Sequence, residues 1–313
     1  MSMSIRYLDA LPSLGKIYAQ AGTEALKKRP KKVSADSLPS DGLGVRGVTI
    51  SRETVNAVNR HVGAPTRDSV PSIVVFGTAF PLLIELMRQP EFPLPMLGMI
   101  HLTNTVEHHR TIVPGEKLTF EVRPLSLDAH HAGVACEIET RVLDDGGDVV
   151  WTGTGVFLAK GVSLNGAQKP ERPEREAPDL PPMNAQWSFA PGEGRRWAGI
   201  LGDYNPIHLS NVSAKLLGMK TAIVHGADLA AHALAAVEPA DATACGGYEW
   251  HIEFGAPVPI PSRISFNQTA VKNAEFGEGN TGEEVEGLVG FTGFSTRKKP
   301  RTHFTGYVRP LGA

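Results

Sequence analysis

The sequence predicts an α+β protein in which one unit, an apolar helix followed by antiparallel strands, is made twice. Three observations predict it. First, landmarks recur at one spacing. Ile73-Val74-Val75-Phe76-Gly77 and Ala222-Ile223-Val224-His225-Gly226 each precede a long apolar segment, and their glycines lie 149 residues apart (226 − 77). His101 and His251, which follow, lie 150 apart (251 − 101). Two landmarks at one offset indicate duplication. Second, each apolar segment is followed by runs with a polar/apolar period near two, the signature of half-buried strands. Third, residues 161–187 carry Pro170, Pro173, Pro178, Pro181 and Pro182 among charged residues. Proline fixes φ and removes donors, so this stretch is expected to be an extended linker outside the core.

The elements follow in order. The first unit, residues 1–160, is expected to place a helix from about Gly77 through Ile84-Glu85-Leu86, then strands at 100–106, 117–124, 133–143 and 149–159. Asp144-Asp145-Gly146-Gly147 reads as the hairpin turn between the last two. The second unit, residues 188–313, repeats the order with a helix at 227–237 and strands at 248–254, 263–271, 286–296 and 302–309. The second helix is rich in Ala and Leu on most sides, as befits a helix in a core.

Composition narrows the function. The chain has 313 residues, 41% apolar, 20% charged, with a net charge of −2. Such a balance exerts no overall pull toward nucleic acid or membrane. Cys136 and Cys245 are too few for a disulfide framework and lack metal-type spacing. The first residues carry no signal-type apolar run, and no stretch approaches the ~20 apolar residues of a membrane span, so a cytoplasmic setting is expected. Two basic clusters stand out, Lys27-Lys28-Arg29-Pro30-Lys31-Lys32 and Arg297-Lys298-Lys299-Pro300-Arg301. Without interleaved aromatics they do not suggest nucleic-acid binding. The second, with Arg297, Lys298 and Lys299 in the second unit, is the better candidate for docking a phosphate-bearing substrate.

Chemistry concentrates in residues 202–226. Gly-Asp-Tyr-Asn-Pro-Ile-His at 202–208 brings an acid, an amide and an imidazole within six residues. Asp203 and His208 are five apart, which a regular helix would place on different faces. Pro206 disfavours helix at Asn205, so the chain can bend and let both converge. Ser210 or Asn211 suits the cap of a short helix ending near Gly218. His225-Gly226 then opens the core helix, whose first N–H groups and positive dipole form an anion site.

These residues, with Ala214, Gly218 and Phe254-Gly255-Ala256-Pro257-Val258, resemble the MaoC-like dehydratases, the (R)-specific enoyl-thioester hydratase group. The motif covers residues 188–313, and the whole chain is similar to the family's double-hotdog members. The resemblance implies two hotdog units, each a helix wrapped by a curved antiparallel sheet. It implies reversible addition of water to a trans-2-enoyl thioester carried on coenzyme A or acyl carrier protein, without metal or redox cofactor. Asp203 and His208 match the acid–base pair, Asn205 the amide that orients water, and Gly226 the N–H that polarises the thioester carbonyl. Tyr204, His225 and, from the first unit, Phe76 are expected to border the substrate.

The first unit has lost the acid and base. His61-Val62-Gly63-Ala64 aligns with Ile200-Leu201-Gly202-Asp203, so Ala64 stands where Asp203 stands, and Phe76 stands where His225 stands. Such a unit cannot do the chemistry, but its helix can line a wider acyl tunnel. One active site per chain, between the units, is therefore expected, in a monomer or a homodimer.

Other polar residues have plainer readings. His225 either braces the helix start or touches substrate. Asp228 and His232, spaced i and i+4, suit a pair on one helix face. His108-His109 and His130-His131 lack carboxylate or thiol partners at ligand spacing. Two alternatives stand beside the lyase: a thioesterase using Asp228, the only acid on its helix, and a non-catalytic acyl-binding subunit.

Overall fold

The computed structural model describes residues 4–18, 30–174, 177–270, 287–296 and 299–311. Among them, eleven strands form one sheet. Their order is Ser4–Leu8, Asp41–Thr49, Lys117–His130, Gly133–Leu143, Val149–Lys160, Ile100–His108, Tyr248–Phe254, Arg301–Pro310, Val289–Ser295, Ser262–Ala270 and Ala185–Phe189. Ser4–Leu8 runs parallel to its neighbour, and every other pair is antiparallel. Two apolar helices, Ser72–Arg88 and Gly226–Val237, supply much of the buried core. The α+β expectation of a helix wrapped by antiparallel strands, made twice, describes this architecture.

Alternation placed the strands well because it is a local consequence of the pleat. Along Gly133–Leu143, buried and partly exposed residues alternate almost throughout. The hairpin after it is closed by Asp144, whose carboxylate accepts from the N–H groups of Gly146 and Asp148, both at 3.0 Å. Gly147 takes φ 89°, a conformation that favours glycine.

The two halves join through equivalent strands. Ile100–His108 pairs with Tyr248–Phe254, and within that pair Thr103 faces Glu253. These two are each other's counterparts in the repeat (253 − 103 = 150), so a pseudo-twofold axis passes between them. This is the isologous edge of a symmetric dimer, built inside one chain.

Three features depart from the sequence reading. The first central helix starts at Ser72, not near Gly77, so Phe76 lies in its second turn. The reason is what each segment pairs with. In the second half, Val224 N–H donates to Val258 and Ile260 N–H to Ala222, holding that strand-like stretch extended up to His225. In the first half, Pro71 is the N-cap and the β-branched residues after it coil directly. Second, helices Arg52–Val62 and Glu193–Leu201 were not anticipated; each ends on a left-handed glycine, Gly63 at φ 71° and Gly202 at φ 79°. That match sets Ala64 and Asp203 at equivalent positions. Third, the extended stretch after the first half begins with a short pairing of Ser163–Leu164 to Lys32–Val33 and gives way to strand Ala185–Phe189.

A polar knot lies under the join. The indole N–H groups of Trp151 and Trp250 both donate to Ser72 Oγ at 2.7 Å. Ser72 N–H donates to Glu238 at 2.7 Å, and the Tyr248 hydroxyl donates to the same carboxylate oxygen. Glu238 is partly exposed as a residue, but its carboxyl group is enclosed, and burial pushes it up to about 7. The folded pKa lies above the ordinary 4.5. Its contribution to stability is therefore fully present below that ordinary value and lost as pH rises through about 7. Denaturant unfolding at either end of this window is expected to show wild type losing up to about 3 kcal/mol relative to Glu238→Gln as pH rises.

Candidate active site

Residues 202–226 fold as a bent arm before the second central helix. Gly202 ends helix Glu193–Leu201 in the left-handed region. Asn205 is extended, as its position before Pro206 requires, and its side chain caps the single turn Pro206–Leu209 by accepting from Ile207 N–H at 3.4 Å. Ser210 caps Asn211–Leu216 by accepting from Ser213 N–H at 3.1 Å, and Gly218 follows at φ 83°. Both short helices thus start as their sequence signals indicate.

The bend brings the acid and imidazoles together. One carboxylate oxygen of Asp203 and one ring nitrogen each of His208 and His225 lie within 4.8 Å of one another. The two imidazoles stack with centroids 3.7 Å apart. His208 Nδ1 is 2.8 Å from the Ile223 carbonyl. A carbonyl only accepts, so Nδ1 carries the proton and Nε2 is the basic nitrogen. Burial, and next the neighbouring His225, hold the His208 pKa well below 6.5. The ring is therefore neutral and able to accept a proton at neutral pH.

His225 braces the arm. Its Nε2–H donates to the Asp203 backbone carbonyl at 3.0 Å and stands 3.9 Å from the Asp203 carboxylate. The residue is 1% exposed, and Nδ1 has no hydrogen-bond partner. Gly226 is the first residue of the helix, where N–H groups have no partner within the helix. A Cβ on Gly226 would stand 3.2 Å from the Phe254 ring, so glycine keeps this approach open.

Asp203 has a partner from far away in sequence. Tyr18, in a helical stretch that includes residues 14–18, donates its hydroxyl to Asp203 Oδ1 at 3.1 Å, and Asn205 N–H reaches the same oxygen at 3.2 Å. Burial, then the Asp203 charge, hold the Tyr18 pKa well above 10, which keeps the hydroxyl a donor. No local signal marks Tyr18. Tyr18→Phe is expected to lower kcat about tenfold with little change in KM, because a hydrogen bond to a charged group is worth roughly 1.5–3 kcal/mol. Steady-state kinetics of the variant check it.

Aromatic side chains from the first half reach the same region. Phe254, beside Gly226, lies 5.3 Å from His101, which stacks on Phe157 at 4.4 Å and on Phe76 at 5.7 Å. Burial pushes His101 down to about 4 and leaves it neutral. Phe76 is thus two rings from the start of the second central helix. Tyr204 is 45% exposed. Lys299 is exposed, while Arg297 and Lys298 lie outside the described residues.

The remaining expectations resolve as packing. Asp228 is fully buried, its carboxylate 2.8 Å from His61 and 3.2 Å from His232. Bound in this way it is not a free nucleophile. His108 Nδ1 lies 2.9 Å from the Tyr248 hydroxyl oxygen, and the His130 ring lies tilted against His131 with centroids 4.0 Å apart. In the first half, Ala64, Pro65 and Arg67 border a cleft lined also by His108, Glu238 and Tyr248.

Comparison with known proteins agrees with this geometry. Residues 169–289 match the MaoC like domain family. The chain is 32% identical over 252 residues to 3-hydroxyacyl-thioester dehydratase X of Mycobacterium tuberculosis (strain ATCC 25618 / H37Rv), covering 80% of this chain and 87% of that protein. The crystal structure of HtdX from Mycobacterium tuberculosis superposes with a TM-score of 0.69 at 27% identity, over 86% of this chain and 100% of that one. A MaoC-like dehydratase from Phytophthora capsici shares the fold at 18% identity, with a TM-score of 0.60 over 88% of this chain and 95% of that one. A bent arm carrying Asp203 and His208 before an apolar helix, within a double helix-in-sheet fold related to these proteins along most of its length, has one consistent reading: the chain belongs to the MaoC-like dehydratase family.

Proposed function

We propose that the protein interconverts (R)-3-hydroxyacyl thioesters and trans-2-enoyl thioesters by removing or adding water. The observation that carries this reading is the neutral His208, with Nε2 as its basic nitrogen, beside Asp203 and a helix that opens at Gly226. In the hydration direction, His208 Nε2 and the Asp203 carboxylate hold one water. His208 takes its proton as the oxygen bonds to C3, and the pair returns a proton to C2. Electrons shifted toward the carbonyl oxygen meet the Gly226 N–H; one such donor is typically worth about 3 kcal/mol of barrier. Asn205 fixes the turn that presents His208. In dehydration the same groups protonate the 3-hydroxyl and remove the C2 proton.

The domain division follows. Residues 188–313 supply the acid and base, residues 1–160 line the acyl chain through Phe76 and its neighbours, and 161–187 connect them. Gly77 on the first central helix is so close to Leu201 that a Cβ would stand 2.6 Å from it, so the two halves pack directly against each other there. Coenzyme A or an acyl carrier protein presents the thioester, with the basic cluster at residues 297–301 of the sequence meeting its phosphate. Two free cysteines suit the cytoplasm.

The test is incubation with crotonyl-CoA and a longer enoyl-CoA, following loss of conjugated-thioester absorbance and, in parallel, free thiol. Hydration without thiol release is expected. Thiol release instead would make it a thioesterase, and neither signal with either substrate or an enoyl-carrier protein would make it an acyl binder.

A further inference from the structure

A second group of ligand-type side chains gathers beside the second central helix. His61 comes from helix Arg52–Val62 of the first half, Glu193 opens helix Glu193–Leu201, and Asp228 and His232 lie one turn apart on Gly226–Val237. His61 Nε2 is 2.8 Å from Asp228 Oδ1 and 3.6 Å from Glu193 Oε1, and His232 Nδ1 is 3.2 Å from Asp228 Oδ1. Exposure of the four side chains is 8%, 8%, 0% and 15% for His61, Glu193, Asp228 and His232. The other oxygen of the same carboxylate, Asp228 Oδ2, is buried with no hydrogen-bond partner. Trp197 lies against His61, and Trp187 and Phe189 against His232, so an apolar wall surrounds the group.

We infer that His61, Asp228 and His232, whose ligand atoms lie within 4.8 Å of one another, bind a divalent transition ion of the zinc class, with Glu193 beside His61. Zinc–nitrogen and zinc–oxygen bonds of about 2.0–2.1 Å place neighbouring ligand atoms of a tetrahedron about 3.3 Å apart. The separations of 2.8 and 3.2 Å from the two imidazoles to Asp228 Oδ1 lie just under that value. Two imidazoles with a carboxylate favour such an ion over magnesium or calcium, which take oxygen ligands. The ion satisfies the buried Asp228 oxygen and displaces the Nδ1 proton that His232 shares with the Asp228 carboxylate and its backbone carbonyl. Arg196 pairs with Glu193 Oε2 and leaves Oε1 facing His61. Bound there, the ion ties the first half to the helix that begins at Gly226. The site is separate from the proposed chemistry and does not depend on it.

Native mass spectrometry and cobalt absorption test this on the full chain. Chelator-stripped wild type, given Zn²⁺ or Co²⁺ near neutral pH, is expected to take one ion per chain, to show the visible bands of tetrahedral cobalt and to melt several degrees higher. His61→Gln and His232→Ala, checked for folding by circular dichroism, are expected to weaken binding by roughly a hundredfold or more, since even outer-shell losses cost 10–100-fold. His208→Ala is expected to leave binding unchanged. A folded wild type that takes no ion overturns the inference, whatever the variants do. So does loss in His208→Ala with retention in His61→Gln, which moves the ion to Asp203, His208 and His225, whose ligand atoms also cluster within 4.8 Å.

Discussion

Replacing His208 with alanine is expected to lower kcat/KM for enoyl-thioester hydration by roughly 10³–10⁴-fold, and Asp203→Asn by a similar factor, because a positioned acid or base typically supplies up to that much. The two losses should not add, since both groups act on one water. Folding should survive. His208 donates a single hydrogen bond, to the Ile223 carbonyl at 2.8 Å, and stacks on His225, so the stability cost is about 1–2 kcal/mol. Thermal melts alongside initial rates separate the two effects. Either variant retaining more than about a tenth of wild-type activity would remove these side chains from the mechanism.

The second large effect comes from a residue that touches no substrate. A Cβ on Gly194 would lie 2.0 Å from the His208 carbonyl oxygen and 3.1 Å from its Cβ. The obstacle is backbone, so it cannot swing aside, and the segment that carries His208 must move. Gly194→Ala is expected to cut kcat by about 100-fold, the scale of a 1 Å misplacement. Gly199 lies in the same helix with nothing within 4 Å of its would-be Cβ. Gly199→Ala should therefore leave kcat unchanged and add about 0.5–1 kcal/mol of stability from helix propensity. Equal behaviour of the two variants would show that the close approach at Gly194 does not govern His208.

What the sequence disclosed is what depends on near neighbours. Alternation found strand Gly133–Leu143 with both ends correct, and the apolar run over 227–237 found the second central helix to within one residue. The arm at 202–226 was legible for the same reason: Pro206, the capping Ser210 and Gly218 act on adjacent residues. The hidden parts are long-range. Tyr18 meets Asp203 across 185 residues and His61 meets Asp228 across 167, separations at which spacing carries no information. Gly194 reads like any helical glycine until His208 is seen against it. The misplaced start of the first helix is instructive too. Ile73-Val74-Val75 has strand-like composition, and whether it coils depends on Val224's counterpart bond to Val258, which that half does not make.

The strand pair centred on Thr103 and Glu253 sets a condition on how such a protein changes over generations. In an assembly of two identical copies, any alteration near one reaction centre is imposed on both. Here the symmetric edge joins two stretches of a single polypeptide, so each side mutates alone. On the proposed function, Ala64 can stand where Asp203 stands, and Phe76 and His101 can change, while Asp203 and His208 stay as they are. On that proposed function, covalent tandem arrangement lets substrate fit and acid–base chemistry vary in separate halves of the chain.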